Sequence, residues 1–240
     1  MLYPLIPQDI SRVVGVPRSG MIPAAILATH LHVPLYGIRD GQLVAMDAGD
    51  RMNNTSERQG RTLLVEDSVG IGHRMRKLAS TLPIDQWCKL AIYVLPRSKH
   101  LVDIYAKEVP APHLFEWNFF NGVFMRSAAL DMDGIICRDV TGEPQYVPRN
   151  VPCAAIITAR PESARAATVA WLNRYGARYD RLIMWPGQTA DRNLYSQADW
   201  KVEMMRDVSA DIYVESCPYL SGEMRKRGMR VLCPQEGILR

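Results

Sequence analysis

Short β-branched runs alternate with helix-length segments along this chain, and no other feature restricts its fold as strongly. "RVVGV", "PLYGI", "TLLVE", "KLAIYVL" and "VDIYAKEV" read as strands, with helices over Met21–His32 and His73–Leu82. After the irregular stretch "PAPHLFEWNFFNG" the alternation begins again: "AALDMD", "AAIIT", a helix over Pro161–Tyr175, "RLIMW", a helix near Tyr195–Val208, "DIYVE", a helix near Pro218–Arg227, and "RVLC". Strands joined through helices run parallel. The reading is therefore α/β, two Rossmann-like domains with mostly parallel sheets. With 240 residues to distribute, the boundary is expected near Arg126, giving domains 1–125 and 126–240. In the second half Pro161 suits a first helical position and Gly176 a stop.

Composition narrows the function classes. No apolar run is long enough to cross a bilayer, and "MLYPLIPQDISR" lacks a signal peptide's basic flank and continuous apolar stretch, so a soluble, cytoplasmic protein is expected. Five scattered cysteines without a CxxC pair read as reduced thiols. The net charge of +4 is modest, and the basic residues are dispersed except at Arg225–Arg227. Nucleic acid is an unlikely partner, whereas small phosphorylated substrates suit clustered positive charge in loops.

"SAALDMDG" ends an apolar strand in Asp131 and Asp133, two carboxylates that repel when both are ionised. Two residues apart at a strand end, they point roughly the same way, into the crevice where open α/β sheets bind ligands. A cation between them is the simplest reason for the pair; a strand-to-turn in which both cap local amides is the plain alternative. Thr158 closes the next apolar strand, Lys201 sits on a later helix, and Glu215 closes the strand "DIYVE".

This order of strand-end aspartates, threonine, helical lysine and strand-end acid resembles the haloacid dehalogenase (HAD) superfamily of phosphohydrolases. The resemblance implies Asp131 as nucleophile and Asp133 as general acid and then base. It implies Thr158 and Lys201 on the phosphoryl oxygens, and Mg²⁺ held by Asp131, the Asp133 carbonyl and Glu215. A dianionic phosphomonoester must be neutralised before a carboxylate can attack it, which is why a metal and a lysine belong here. Only about twenty residues separate Asp133 from the next strand, so any cap is minimal. The family often carries two acids near the last element, where "YVESC" offers Glu215 and Ser216.

In the first half, "VVGVPRSGMIPAAILA" places Arg18, Ser19 and Gly20 between a strand and a helix, an arrangement that lets backbone amides approach an anion while Arg18 adds a fork of donors. A tight turn with an exposed arginine would leave the same trace. In "RTLLVEDSVGIGHRM", Glu66 and Asp67 end a strand and are followed by a small-residue loop, Ser68 to Gly72. Together these loops resemble the type I phosphoribosyltransferases. That implies Glu66 and Asp67 on the ribose hydroxyls of phosphoribosyl pyrophosphate (PRPP), with amides of Ser68, Val69, Gly70, Ile71, Gly72, His73 and Arg74 around the 5′-phosphate. Gly70, Ile71 and Arg74 stand where the family commonly has threonines. The polar stretch "RDGQLVAMDAGDRMNNTSERQGR" reads as a loop able to close over pyrophosphate, with Arg51, Arg58 or Arg61 available. "VLPRSKHLVDIYAKEV" and "APHLFEWNFFN" are candidates to shape the acceptor pocket, although Phe115, Trp117, Phe119 and Phe120 equally suit domain-interface core.

Together the halves resemble phosphoribosyltransferase–HAD fusions. The resemblance implies a bifunctional, Mg²⁺-dependent enzyme that transfers phosphoribosyl from PRPP to a nitrogen-containing acceptor and hydrolyses a phosphomonoester; a homodimer is compatible with this reading. The alternative is a non-catalytic PRPP- or nucleotide-sensing first domain that regulates an active phosphatase.

Overall fold

Val13 and Val14 are adjacent in sequence and both fully buried, yet they lie in different apolar clusters on opposite faces of one sheet. Two-sided burial of this kind demands helices on both faces, and the computed structural model shows them. It describes residues 2–46, 59–82, 86–111, 113, 115–119, 122–139 and 142–237. Two compact units are present, Met1–His113 and Leu114–Arg240. The expected boundary near Arg126 lies inside the second unit, where Phe119 and Met125 join the cluster around Leu130.

The first unit contains β1 (Ile10–Gly15), α1 (Met21–Leu31), β2 (Leu35–Arg39), β3 (Gln42–Ala45), β4 (Arg61–Val69), α2 (His73–Thr81), β5 (Trp87–Val94) and β6 (Ile104–Glu108). The sheet order is β3-β2-β1-β4-β5-β6, parallel except for β3. Ala24, Leu27 and Ala28 of α1 pack with Val13, Leu63, Val65 and Leu90, and Met75 of α2 packs with Val14, Leu64 and Ala91.

The polar stretch after Ile38 is not simply a loop. Asp40 and Gly41 both have positive φ, 52° and 76°, and turn β2 into β3 as a hairpin. An Asp-Gly pair is the residue choice for such a turn, so the signal was present in the sequence. Residues 47–58, including Arg51 and Arg58, lie outside the described residues.

The second unit contains α3 (Gly122–Met125), β7 (Ala128–Leu130), β8 (Cys153–Pro161), α4 (Arg165–Arg174), β9 (Tyr179–Trp185), α5 (Leu194–Asp207), β10 (Ile212–Val214), α6 (Pro218–Lys226), β11 (Val231–Leu232) and α7 (Pro234–Gly237). Its sheet is parallel throughout, in the order β11-β10-β7-β8-β9. Leu130, Ile156, Val214 and Leu172 of α4 fill one face; Ala129, Ile157 and Tyr213 meet Val202 and Met205 of α5 and Met224 of α6 on the other. Asn193 caps α5 by accepting from the amides of Tyr195 and Ser196, and Ser196 returns a hydroxyl to the Asn193 amide.

The end of α4 is a two-bond C-cap: the amide of Gly176 donates to Asn173 and that of Ala177 to Leu172. Gly176 has φ 68° and nothing within 4 Å of where a Cβ would lie. Gly176→Ala is therefore expected to cost about 1 kcal/mol through backbone conformation alone, read as a lower urea midpoint with an unchanged m-value.

Candidate functional site

Both sheets reverse direction beside their first strand. In the first unit the chain moves from β1 out to β2 and β3, then crosses to β4 on the other side; in the second it moves from β7 to β8 and β9, then crosses to β10. Loops leaving neighbouring strands then diverge and open a crevice at their carboxyl ends. Of the sequence-predicted residues, Arg18, Ser19, Gly20 and the run Glu66 to Arg74 lie at the β1/β4 reversal point, and Asp131, Asp133 and Glu215 at β7/β10, with Thr158 in β8 and Lys201 on α5.

At the first, the loop after β1 runs from Val16 to Gly20 and the loop after β4 from Gly70 to Gly72. The Pro17–Arg18 peptide bond is cis. The Val16 amide donates to the Val65 carbonyl (2.9 Å), and Arg74 Nη1 donates to the Pro17 carbonyl (3.0 Å), tying the two loops together. Gly20 permits this closeness, because a Cβ there would lie 2.6 Å from Val65 O and 2.7 Å from Val16 O. Arg18, Ile71, His73 and Arg74 are exposed, so the rim is basic. Neither α1 nor α2 has a side-chain N-cap or an acid in its first turn. In α1 the Met21 and Ile22 amides already donate to the Arg18 and Ser19 carbonyls (3.1 and 3.2 Å) and Pro23 has no N–H, so it is α2 that leaves its first amides for water or an anion.

Strand β4 continues past the acids, so Ser68 and Val69 belong to the strand and only Gly70–Gly72 form the loop. The Ser68 hydroxyl turns to His113 Nε2 at 2.6 Å, and the Ser68 amide donates to Asp67 Oδ1 at 2.9 Å. Glu66 and Asp67 are both buried. Burial first, then the neighbouring Asp67, pushes the Glu66 carboxyl up to about 8, against the pull of Arg74. Arg61 is not at the rim: it opens β4 and makes a bidentate pair with Asp9 (2.9 and 2.8 Å), one strand length, about 26 Å, from the loop after Val69. A strand's two ends cannot serve one ligand.

At the second reversal point, Asp131 follows β7 and Glu215 follows the neighbouring β10. Lys201 Nζ lies between them, 3.2 Å from Asp131 Oδ1 and 2.7 Å from Glu215 Oε2, with all three side chains buried. Burial opposes the charge on Lys201, but Asp131, Tyr213 and Glu215 hold its pKa well above the ordinary value. The Asp131 carboxyl is raised, by burial and then by Glu215. Two carboxyl groups share one ammonium here, in a buried set. Thr158 is also fully buried, and its hydroxyl accepts from the Arg160 amide (3.2 Å); it does not end its strand, which runs on to Pro161 with a shift in register.

Asp131 and Asp133 do not lean on one common cation. Asp133 takes a bidentate pair from Arg160, Nε to Oδ2 at 3.0 Å and Nη2 to Oδ1 at 2.6 Å, while Asp131 faces Lys201. The strand ends at Leu130, so the alternation that would aim both side chains together no longer applies. The Cys137 thiol also touches Asp133 (3.4 Å), and burial, then Asp133, pushes it up to about 12. The Asp133 carbonyl accepts from the Ser216 hydroxyl at 2.9 Å. Between Asp133 and β8 the chain doubles back, with Gln145 and Tyr146 amides bonded to the Ile136 and Ile135 carbonyls. Arg160 was not among the sequence candidates, and His113 entered only as part of the stretch "APHLFEWNFFN" without a role of its own. Arg160 was legible as the residue two beyond Thr158; His113 is 45 positions from Ser68, a partnership that only folding makes.

Among the described residues no group of three or more His, Cys, Asp or Glu side chains forms a metal cluster. The expected Mg²⁺ set uses two carboxyl groups and a main-chain carbonyl, and hard oxygens of these kinds fit such an ion. The basic run Arg225–Arg227 is spent on Glu236, Glu223 and Asp199. All five cysteines are free, and among the described residues no helix is long and apolar enough to cross a membrane.

Similarity to known proteins lies in the N-terminal part of the chain. Over 112 residues, 45% of this chain, the sequence is 29% identical to the xanthine-guanine phosphoribosyltransferase of Chromohalobacter salexigens, of which it covers 68%. Phosphoribosyltransferase-type homology thus covers the N-terminal part of the chain. No family model matches. Among solved structures, a purine phosphoribosyltransferase from Pyrococcus horikoshii Ot3 aligns at 18% identity and TM-score 0.34, over 45% of this chain and 78% of that one. The xanthine-guanine-hypoxanthine phosphoribosyltransferase of Helicobacter pylori gives the same identity and TM-score over 46% and 75%.

Two outcomes follow. Lys201→Met leaves two buried carboxylates unpaired, an expected loss of about 3–5 kcal/mol at pH 7. The loss shrinks as the Asp131 carboxyl, raised by burial and then by its neighbour, takes up a proton, so the gap in melting temperature to wild type is narrower at pH 5. For Glu66, the folded protein holds a proton that the unfolded chain releases above the ordinary value of 4.5. Its contribution is complete below that pH and lost as pH rises through about 8. Glu66→Gln is therefore expected to flatten the stability–pH curve between these limits and to be more stable than wild type at pH 9.

Proposed function

We propose that the protein is a bifunctional enzyme: the first unit transfers phosphoribosyl from PRPP to a purine base, and the second is a HAD-type phosphohydrolase acting on a phosphomonoester product or a relative of it. One observation carries the reading, the placement of buried acids at both strand-reversal points, with a glycine-rich loop following those of the first. The purine is suggested by the Chromohalobacter relative, a xanthine-guanine phosphoribosyltransferase.

In the transferase, amides of the Val16–Gly20 loop and Arg18 bind pyrophosphate, and those of residues 70–74 bind the 5′-phosphate. Glu66 and Asp67 hold the ribose hydroxyls, Glu66 as a donor while it keeps its proton. The chain positions the anomeric carbon and excludes water as the glycosyl bond loosens. In the phosphohydrolase, Asp131 attacks phosphorus, Thr158 and Lys201 bind the phosphoryl oxygens, and Asp133 gives a proton to the leaving oxygen and later takes one from water. Arg160 holds both Asp133 oxygens, so one must be released when a substrate oxygen arrives. Mg²⁺ bound by Asp131, the Asp133 carbonyl and Glu215 would supply charge neutralisation at the phosphoryl group. A transferase product is itself a phosphomonoester, so its hydrolysis pulls a reversible transfer forward.

A second reading has one observation in its favour: Ile71, 67% exposed, stands in the phosphate loop where a hydroxyl donor would be useful. On that reading the first unit senses PRPP and regulates the phosphohydrolase. Calorimetric titration of PRPP with Mg²⁺ into the Asp131→Asn protein, then pyrophosphate release with pooled purines, separates the two. Binding with purine-dependent release is the expected outcome, and binding alone establishes the sensor. Asp131→Asn is expected to abolish hydrolysis of a generic phosphomonoester, and Asp133→Asn to slow it by about 10²- to 10⁴-fold. Glu66→Gln with Asp67→Asn is expected to abolish PRPP binding and spare the hydrolysis.

A further inference from the structure

Attack by a purine nitrogen on the anomeric carbon creates a proton that must go somewhere. Glu66 already holds one and is set against the ribose, so it is a poor acceptor. The Val16–Gly20 and Gly70–Gly72 loops contain no carboxylate or imidazole. One group at the carboxyl ends of β4 and β5 is arranged for the task. His113 Nδ1 lies 3.0 Å from the Pro110 carbonyl. A carbonyl only accepts, so in the neutral ring Nδ1 carries the hydrogen and Nε2 is the basic nitrogen. Nε2 receives the Ser68 hydroxyl at 2.6 Å. The edge of Tyr93, which pairs in register with Ser68, packs against the ring at 5.7 Å between centroids and holds its plane. Ser68 directly follows the acid pair of β4. The hydroxyl, its base and the base's orienting carbonyl thus form a chain that begins beside the ribose-binding acids.

We propose that Ser68 and His113 form the proton acceptor of the transferase, a deeper statement of the transfer reading, on which it rests. As the acceptor nitrogen bonds to the anomeric carbon, the bond to pyrophosphate oxygen breaks and its electron pair leaves with pyrophosphate. The acceptor N–H proton passes to Ser68 Oγ, and the Ser68 hydroxyl proton passes to His113 Nε2. The imidazolium keeps its Nδ1–H bond to Pro110, and its proton returns to solvent after product leaves. Ser68 touches the substrate, and His113 acts through it.

The test is purine-dependent pyrophosphate release by His113→Ala and Ser68→Ala, with PRPP affinity of His113→Ala measured alongside as the control for folding. His113→Ala is expected to bind PRPP within threefold of wild type while turnover falls by about 10²- to 10³-fold, within the usual range for general-base loss. Added imidazole should restore turnover to His113→Ala and leave Ser68→Ala unrepaired. Across guanine, hypoxanthine, xanthine and their more acidic 8-aza analogues, the loss should narrow as the acceptor N–H becomes more acidic. Turnover of His113→Ala close to wild type overturns the proposal, as does a loss that is equal for every acceptor and indifferent to imidazole, or one that tracks weakened PRPP binding. A wild-type protein that neither binds PRPP nor releases pyrophosphate overturns the transfer reading and this proposal together.

Discussion

Parallel strands cannot be joined by tight turns, and this constraint organises both units. Each connection must travel back along a face of the sheet, so helices cover both faces and the strands become apolar on both sides. Polar chemistry is thereby expelled from the sheet to its ends. At the carboxyl ends, where the strand order reverses, loops part and helix amides point inward. Acids placed there are buried by their surroundings, as Glu66, Asp67, Asp131 and Glu215 show.

The two sites manage buried charge differently. At β7/β10 the Lys201 ammonium stands between the Asp131 and Glu215 carboxyls and keeps its charge despite burial. At β1/β4 no ion-pair partner reaches Glu66 among the described residues, and the carboxyl answers burial by holding its proton up to about 8. A protonated acid can donate as well as accept.

Much of the candidate site was legible because each residue sits at a fixed offset from an apolar run. Asp131 directly follows "AAL", and Glu215 directly follows "IYV". Lys201 was legible as one residue of a helix, but its burial between two acids was not, since that depends on α5 packing over β10. Arg61 misled because an arginine after a polar stretch looks the same whether it closes over a ligand or anchors a strand to Asp9. The hairpin at Asp40–Gly41 was missed because a long polar segment masked a two-residue turn signal.

Local patterning by itself determined the α/β class, the order of the elements, the Gly176 helix stop and the acids at the strand ends, because these depend on neighbours within a turn or a strand. Only the tertiary structure decided which partner each charge found: Asp133 with Arg160, Asp131 with Lys201, Ser68 with His113. Those pairs lie tens of residues apart, and whether a polar side chain meets water, a ligand or another side chain is settled by how strands are ordered in the sheet. Strand order is a property of the whole fold, which no local stretch of sequence contains.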